Sequence, residues 1–234
     1  MRLDTYRHLA ASNHNTHLIT FDYRGWGLSS GKPSEEGVIL DSLTILEWVL
    51  KTANVDPSRV LIVSQSFGTA ISIGAVTHYA ELHPTKPLAG IVTIAAFTSL
   101  RNVVGGYRMG GWLPLLGPLN IWPAMSDYFV HRFLHAEFDS VMRMRKLVEV
   151  TKGTKFSVTL IHAVNDWEIS YRHSRELFEV ACAGNMDISE TTNTDRVTKW
   201  IEDGRIRYIE TSWGGHNDIQ KSDAVLKAVI SAWR

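Results

Sequence analysis

A chain of 234 residues with 24 Lys plus Arg against 24 Asp plus Glu has room for one sizeable core and no basic excess, which argues against nucleic acid as a partner. Its one cysteine, Cys182, reads as core packing and excludes an internal disulfide. No run of about 18 uninterrupted apolar residues is present to make a transmembrane helix, and the polar, charged stretch at residues 1–8 does not read as a signal peptide.

In chain order, residues 5–12 read as the end of a helix. His17 to Tyr23 reads as a buried strand. Arg24 to Pro33 is a glycine-rich loop. Ser34 is placed to cap a helix with Glu35 and Glu36 in its first turn, and Ile39, Leu43, Leu46, Leu50 and Ala53 keep helical spacing. After a turn at residues 54–58, the apolar, β-branched run from Arg59 leads into Ser64-Gln65-Ser66-Phe67-Gly68. A run of small and apolar residues follows, ending near His83 and Pro84. Leu88 to Ala96 and Phe156 to Ala163 read as strands. Ser170 to Ala183 reads as a helix, Arg205 to Thr211 as a strand, and Asp218 to Arg234 as the final helix. Strands alternating with helices imply an α/β fold with a mostly parallel sheet covered on both faces.

Two segments break the alternation. Residues 98–152 hold Tyr107, Trp112, Trp122, Tyr128, Phe129, Phe133 and Phe138, together with Pro114, Pro118 and Pro123. They read as a cap or lid with an apolar underside, inserted into a core made of residues 1–97 and 153–234. Its underside offers a membrane-surface contact, not a span. Residues 184–203 are polar and rich in Thr, Asp and Asn, and read as a surface excursion with no chemical role.

Strand, sharp turn and helix with Ser66 at the apex reads as the nucleophile elbow G-x-S-x-G, with Ser64 in place of the first glycine. The apex residue is strained and the helix packs tightly on the strand, so its neighbours must be small. Such an elbow presents the serine Oγ above the sheet and puts the Phe67 N–H and the helix N-terminus under a developing oxyanion. An ordinary helix N-cap is the bland alternative for Ser66. The chemistry then requires an acid and a histidine further along, in that order. Asp166 follows the strand ending at Ala163, at the carboxyl edge where ligands gather in open α/β sheets. A plain turn residue is its alternative reading. His216 lies after two glycines, between the last strand and the last helix, and is the candidate general base. His162 competes, but it belongs to a strand end that should pack against the sheet. His8, His14 and His17 precede the elbow and fit the order poorly. No Cys/His cluster points to a metal, and this chemistry needs no cofactor.

With residues 21–31 (Phe-Asp-Tyr-Arg-Gly-Trp-Gly-Leu-Ser-Ser-Gly), the Ser64–Gly68 elbow, residues 162–166 (His-Ala-Val-Asn-Asp) and residues 215–218 (Gly-His-Asn-Asp), the chain resembles the α/β-hydrolase superfamily. Within it, the resemblance is to the branch of monoacylglycerol and lysophosphatidylserine lipases. It covers most of the sequence and implies a lipid or small-molecule acyl ester substrate, with Ser66, Asp166 and His216 as a catalytic triad. There are two departures. Trp167 stands where family members have a proline after the acid. Ahead of residue 18 there is no strand with the His-Gly loop that supplies the second oxyanion donor, so the chain reads as shortened at its N-terminus. A backbone N–H from residues 25–27 is the available substitute. Three functions follow as expectations: a serine hydrolase of acyl esters such as monoacylglycerols or lysophospholipids, a truncated hydrolase-like protein with impaired or no activity, and a peptidase or thioesterase on the same fold.

Overall fold

The computed structural model describes residues 6–7, 9–10, 16–106, 108–109, 113–114, 137–182, 188–201 and 204–232. Six strands form one sheet: β1 (Leu61–Gln65), β2 (Gly90–Ile94), β3 (Ser157–Ala163), β4 (Ser189–Asn193), β5 (Arg196–Ile201) and β6 (Ile206–Thr211). Their spatial order is β1-β2-β3-β6-β5-β4. The first four are mutually parallel, and β5 and β4 add antiparallel. In register, Gln65 pairs with Ile94, Ile94 with Ile161, and Ile161 with Ile209. The carboxyl ends of the parallel strands therefore share one edge.

The helices are α1 (Glu35–Glu47), α2 (Phe67–Leu82), α3 (Leu100–Gly106), α4 (Ser140–Val150), α5 (Arg172–Cys182), α6 (Gly215–Asp218) and α7 (Asp223–Ser231). Period-two alternation sends side chains of each strand to opposite faces. Ile91, Val158, Leu160, Ile206 and Tyr208 meet Leu46 of α1, Ile73 and Val76 of α2, Met144 and Leu147 of α4, and Leu177 and Phe178 of α5. Val92, Ile94, Ile161 and Ile209 face the other way, onto Leu9 and onto Val225 and Val229 of α7. Cys182 is buried in the first of these layers. No helix among the described residues is long and apolar enough to cross a membrane.

Helix starts follow the sequence. Ser34 accepts the Gly37 N–H at 3.1 Å, and Asp139 accepts the Met142 N–H at 2.9 Å at the head of α4. Glu35, expected only as a first-turn acid, ties α1 to the segment before α4. One oxygen meets Arg143 at 2.6 Å, and the other accepts the Glu137 and Phe138 amides at 2.8 and 3.0 Å.

Three expectations differ from the structure. Residues 17–23 are not a buried strand. They carry no ladder, and Leu18, Ile19 and Phe21 are exposed. An apolar run becomes a strand only beside a partner. Among the described residues β1 pairs with β2 alone and is half-buried throughout, so nothing bridges β1 to residues 17–23. Residues 189–201, read as a surface excursion, are the β4–β5 hairpin and widen the sheet. Their Thr, Val and Trp content suits a half-wet antiparallel edge, and overall polarity masked it. Finally, residues 137–150, read as part of the cap, pack on the core: Phe138, Met144 and Leu147 are buried there. Of the other aromatics and prolines expected in the cap, Tyr107, Trp112, Trp122, Tyr128, Phe129, Phe133, Pro118 and Pro123 lie outside the described residues, and Pro114 is described only as a strand residue.

Candidate active site

Ser66 stands one residue past β1 at φ 54 and ψ −128, a region that non-glycine residues rarely occupy. The turn is held at both sides: Ser66 N–H donates to Ile94 O at 2.9 Å, and Thr69 Oγ1 donates to Ser66 O at 2.6 Å. The substitution of Ser64 for glycine is accommodated because Ser72 Oγ donates to Ser64 Oγ at 2.7 Å, so the extra hydroxyl is satisfied by the helix it packs against. Phe67 opens α2, and its ring is wedged between Trp26 and Phe138, at centroid distances of 6.3 and 4.9 Å.

Asp166 sits in the loop after β3, folded back by its own N–H donating to Ala163 O at 3.1 Å. Its Oδ1 accepts the Glu168 and Ile169 amides, each at 2.9 Å. His216 lies in α6, directly after the β6 loop. Gly214 turns that loop at φ +119, where a Cβ would come within 2.8 Å of the Ile219 backbone, so only glycine fits.

The three residues, far apart in sequence, meet. His216 Nε2 is 2.9 Å from Ser66 Oγ, and His216 Nδ1 is 2.8 Å from Asp166 Oδ2. Burial alone would raise the Asp166 pKa. Hydrogen bonds from His162 and His216, the His216 charge and the Ile169 amide outweigh it, and the carboxyl is held well below the usual carboxylate range. The arrangement can take a proton from the Ser66 hydroxyl and stabilise the resulting imidazolium.

Several contributors were not legible in the sequence. Gln65 Nε2 donates to His216 O at 2.6 Å, and Asn165 Oδ1 accepts the Gly215 N–H at 2.9 Å, so the residues just before Ser66 and Asp166 both clamp the histidine loop. His162, the sequence competitor for the base, is fully buried beneath Asp166 and does not reach Ser66 among the contacts it makes. The glycine-rich loop is closed by Arg24, which meets both oxygens of Asp41 at 2.7 to 3.1 Å. That hydrogen bonding holds Asp41 below its ordinary pKa. The amides of Gly25 and Trp26, expected as substitute oxyanion donors, are engaged inside this loop with Ser30 O and Tyr23 O at 3.1 and 3.0 Å. Trp167, directly after Asp166, is exposed and, with Trp213, lines an open depression that neither Ser66 nor His216 lines.

No protein-family model matches the chain. The sequence is 36% identical over 98 residues to an uncharacterized protein of Mycobacterium tuberculosis, covering 42% of this chain and 32% of that one. It is 28% identical over 180 residues to lysophosphatidylserine lipase ABHD12 of Gallus gallus, covering 77% of this chain and 43% of that protein. The chain thus spans about a third to two fifths of the length of these relatives. Among solved structures, the Pyrococcus furiosus esterase Pf2001 superposes with a TM-score of 0.62 at 13% identity, covering 98% of this chain and 73% of that one. An α/β hydrolase of Vibrio vulnificus gives 0.60 at 17% identity, covering 91% and 62%. The chain has the α/β-hydrolase fold, and its relatives in sequence include the lysophosphatidylserine lipases.

Proposed function

We propose that the chain is a serine hydrolase of acyl esters, with Ser66 as nucleophile, His216 as general base and Asp166 as the acid that orients it. The observation that carries this reading is the unbroken relay from Asp166 through His216 to a strained Ser66, with links of 2.8 and 2.9 Å. Ser66 Oγ attacks the ester carbonyl as His216 Nε2 takes its proton. The negative charge that develops on the carbonyl oxygen is met by the Phe67 N–H at the start of α2, where the helix dipole adds to it. His216 returns the proton to the departing alcohol. Water, deprotonated by the same imidazole, then releases the acid from the acyl-enzyme.

Lipid esters such as monoacylglycerols or lysophospholipids are the proposed substrate class. Support comes from the similarity to lysophosphatidylserine lipase ABHD12, named for hydrolysis of such a lipid, and from the aromatic content of residues 107–136, proposed as the cap and its membrane-surface contact. Hydrolysis of p-nitrophenyl butyrate, monooleoylglycerol and oleoyl lysophosphatidylserine by wild type and by Ser66→Ala tests the reading. Turnover lost in the variant supports it. Equal turnover by both proteins overturns it.

A second reading, a hydrolase-like protein of low activity, is favoured by one observation. The Gly25 and Trp26 amides, two of the three expected in this loop as a substitute second oxyanion donor, are engaged elsewhere. Loss of one such donor costs about 10²- to 10³-fold in rate. Under this reading the same assay gives Ser66-dependent turnover slower by that margin than a relative with two such donors.

A further inference from the structure

His162 occupies the penultimate position of β3 and is completely buried. Its Nε2 lies 3.0 Å from Ile169 O and 3.3 Å from Asp166 Oδ2. A carbonyl oxygen and an ionised carboxylate are both acceptors only, so Nε2 carries a proton, whatever the state of the other nitrogen. Nδ1 lies 2.7 Å from Ser174 Oγ on α5, and that hydroxyl also reaches Ala96 O at 3.2 Å. The ring is therefore pinned between the end of β3, the head of α5 and the loop after β2.

The oxygen that His162 approaches is the one that His216 uses. Asp166 Oδ1 is held by the two loop amides, while Oδ2 meets His216 Nδ1 at 2.8 Å and has His162 Nε2 at 3.3 Å, the single Nε2–H being shared between Oδ2 and the nearer Ile169 O at 3.0 Å. Rotation about the last bond of an aspartate is soft. A second donor on Oδ2 fixes the plane of the carboxylate toward His216 and keeps the charge on a group with no water around it.

We propose that His162 is a positioning residue for Asp166: its Nε2–H holds Oδ2 in the orientation from which the carboxylate grips the Nδ1–H of His216. A chain of side chains then runs Ser174, His162, Asp166, His216, Ser66, and the proposal rests on reading Asp166 as the acid of that chain. A histidine serving only the core would need the Ser174 and Ile169 contacts and nothing at Oδ2.

Two substitutions separate these roles, because glutamine and asparagine both supply an amide but differ in reach. In His162→Gln the amide nitrogen extends to the position of Nε2 and can donate to Asp166 Oδ2. In His162→Asn it stops near the position of Nδ1, beside Ser174, and cannot. Two readouts are taken on each: kcat and KM for p-nitrophenyl butyrate, and the low-field proton NMR signal of the His216 Nδ1–H, which does not require turnover. The proposal predicts that His162→Asn lowers kcat about 10- to 100-fold, with KM within about twofold, and that it shifts or broadens the His216 signal. It predicts that His162→Gln restores most of both. Two variants alike in kcat and in the His216 signal overturn it, whether both match wild type or both fall. If neither wild type nor variants turn over ester, the reading of the chain as a hydrolase fails, and the NMR comparison alone decides the role of His162.

Discussion

At the scale of single residues, the site rests on a buried carboxylate that stays charged because donors surround it. Asp166 therefore links stability to pH. Its folded pKa is depressed, so its contribution is complete above the unfolded aspartate value of about 4 and is lost as pH falls towards the folded value. Below about pH 4, urea denaturation should show wild type losing ~1.4 kcal/mol per pH unit more than Asp166→Asn. Equal slopes would mean that Asp166 is not held ionised. Gln65 offers a second test. Its amide fixes the His216 backbone at 2.6 Å, so Gln65→Ala should lower kcat about 5- to 10-fold, the worth of one hydrogen bond near 1 kcal/mol, and leave KM unchanged. Steady-state kinetics on a soluble ester reads this directly. That Ser66, Asp166 and His216 meet was legible in the sequence, because local pattern and chain order carry that information. The contacts of Gln65, Asn165 and His162 were not: what matters is the atom each meets after folding, and Gln65 meets a backbone carbonyl 151 positions away.

At the scale of elements, legibility followed the source of each element's stability. Helices α1 and α2 and strands β2 and β3 declare themselves through caps and apolar runs, and they form within a few residues of where those signals put them. Residues 17–23 carry the same kind of apolar run and form no strand, because a strand's hydrogen bonds belong to its neighbour. The β4–β5 hairpin is the converse. Its outer strand, Ser189–Asn193, is wholly exposed, and pairing with β5 makes it a strand where composition does not. The junction of α1 with α4 has a testable strength. Glu35→Ala removes the Arg143 contact and both amide contacts at once, from a side chain only 18% exposed. It should cost roughly 3 kcal/mol in urea denaturation. Lys51→Ala, which breaks an exposed pair on the same helical segment, should cost less than about 0.5 kcal/mol. Similar losses for the two variants would contradict the assignment of Glu35 as a structural tie.

At the scale of the whole molecule, the parallel strands determine where chemistry can happen. Their carboxyl ends share one edge, and the elbow, the acid loop and the histidine loop all leave from it, one residue past β1, three past β3 and five past β6. The layers beneath are continuous clusters of buried apolar side chains, a rigid base on which a strained serine and a desolvated aspartate persist. The alternation of strands and helices made this architecture legible from the sequence. The inward turn of the glycine-rich loop's amides was not, because it depends on Ser30, Tyr23 and Asp22, which accept from Gly25, Trp26 and Leu28 only after the loop has folded. Covalent labelling by a fluorophosphonate, read by mass spectrometry of the intact protein and its peptides, tests the central claim most directly. A single adduct mapping to Ser66, absent in Ser66→Ala and greatly slowed in His216→Ala, is the predicted result. Folded wild-type protein that takes up no probe, or takes it up at another residue, would contradict it.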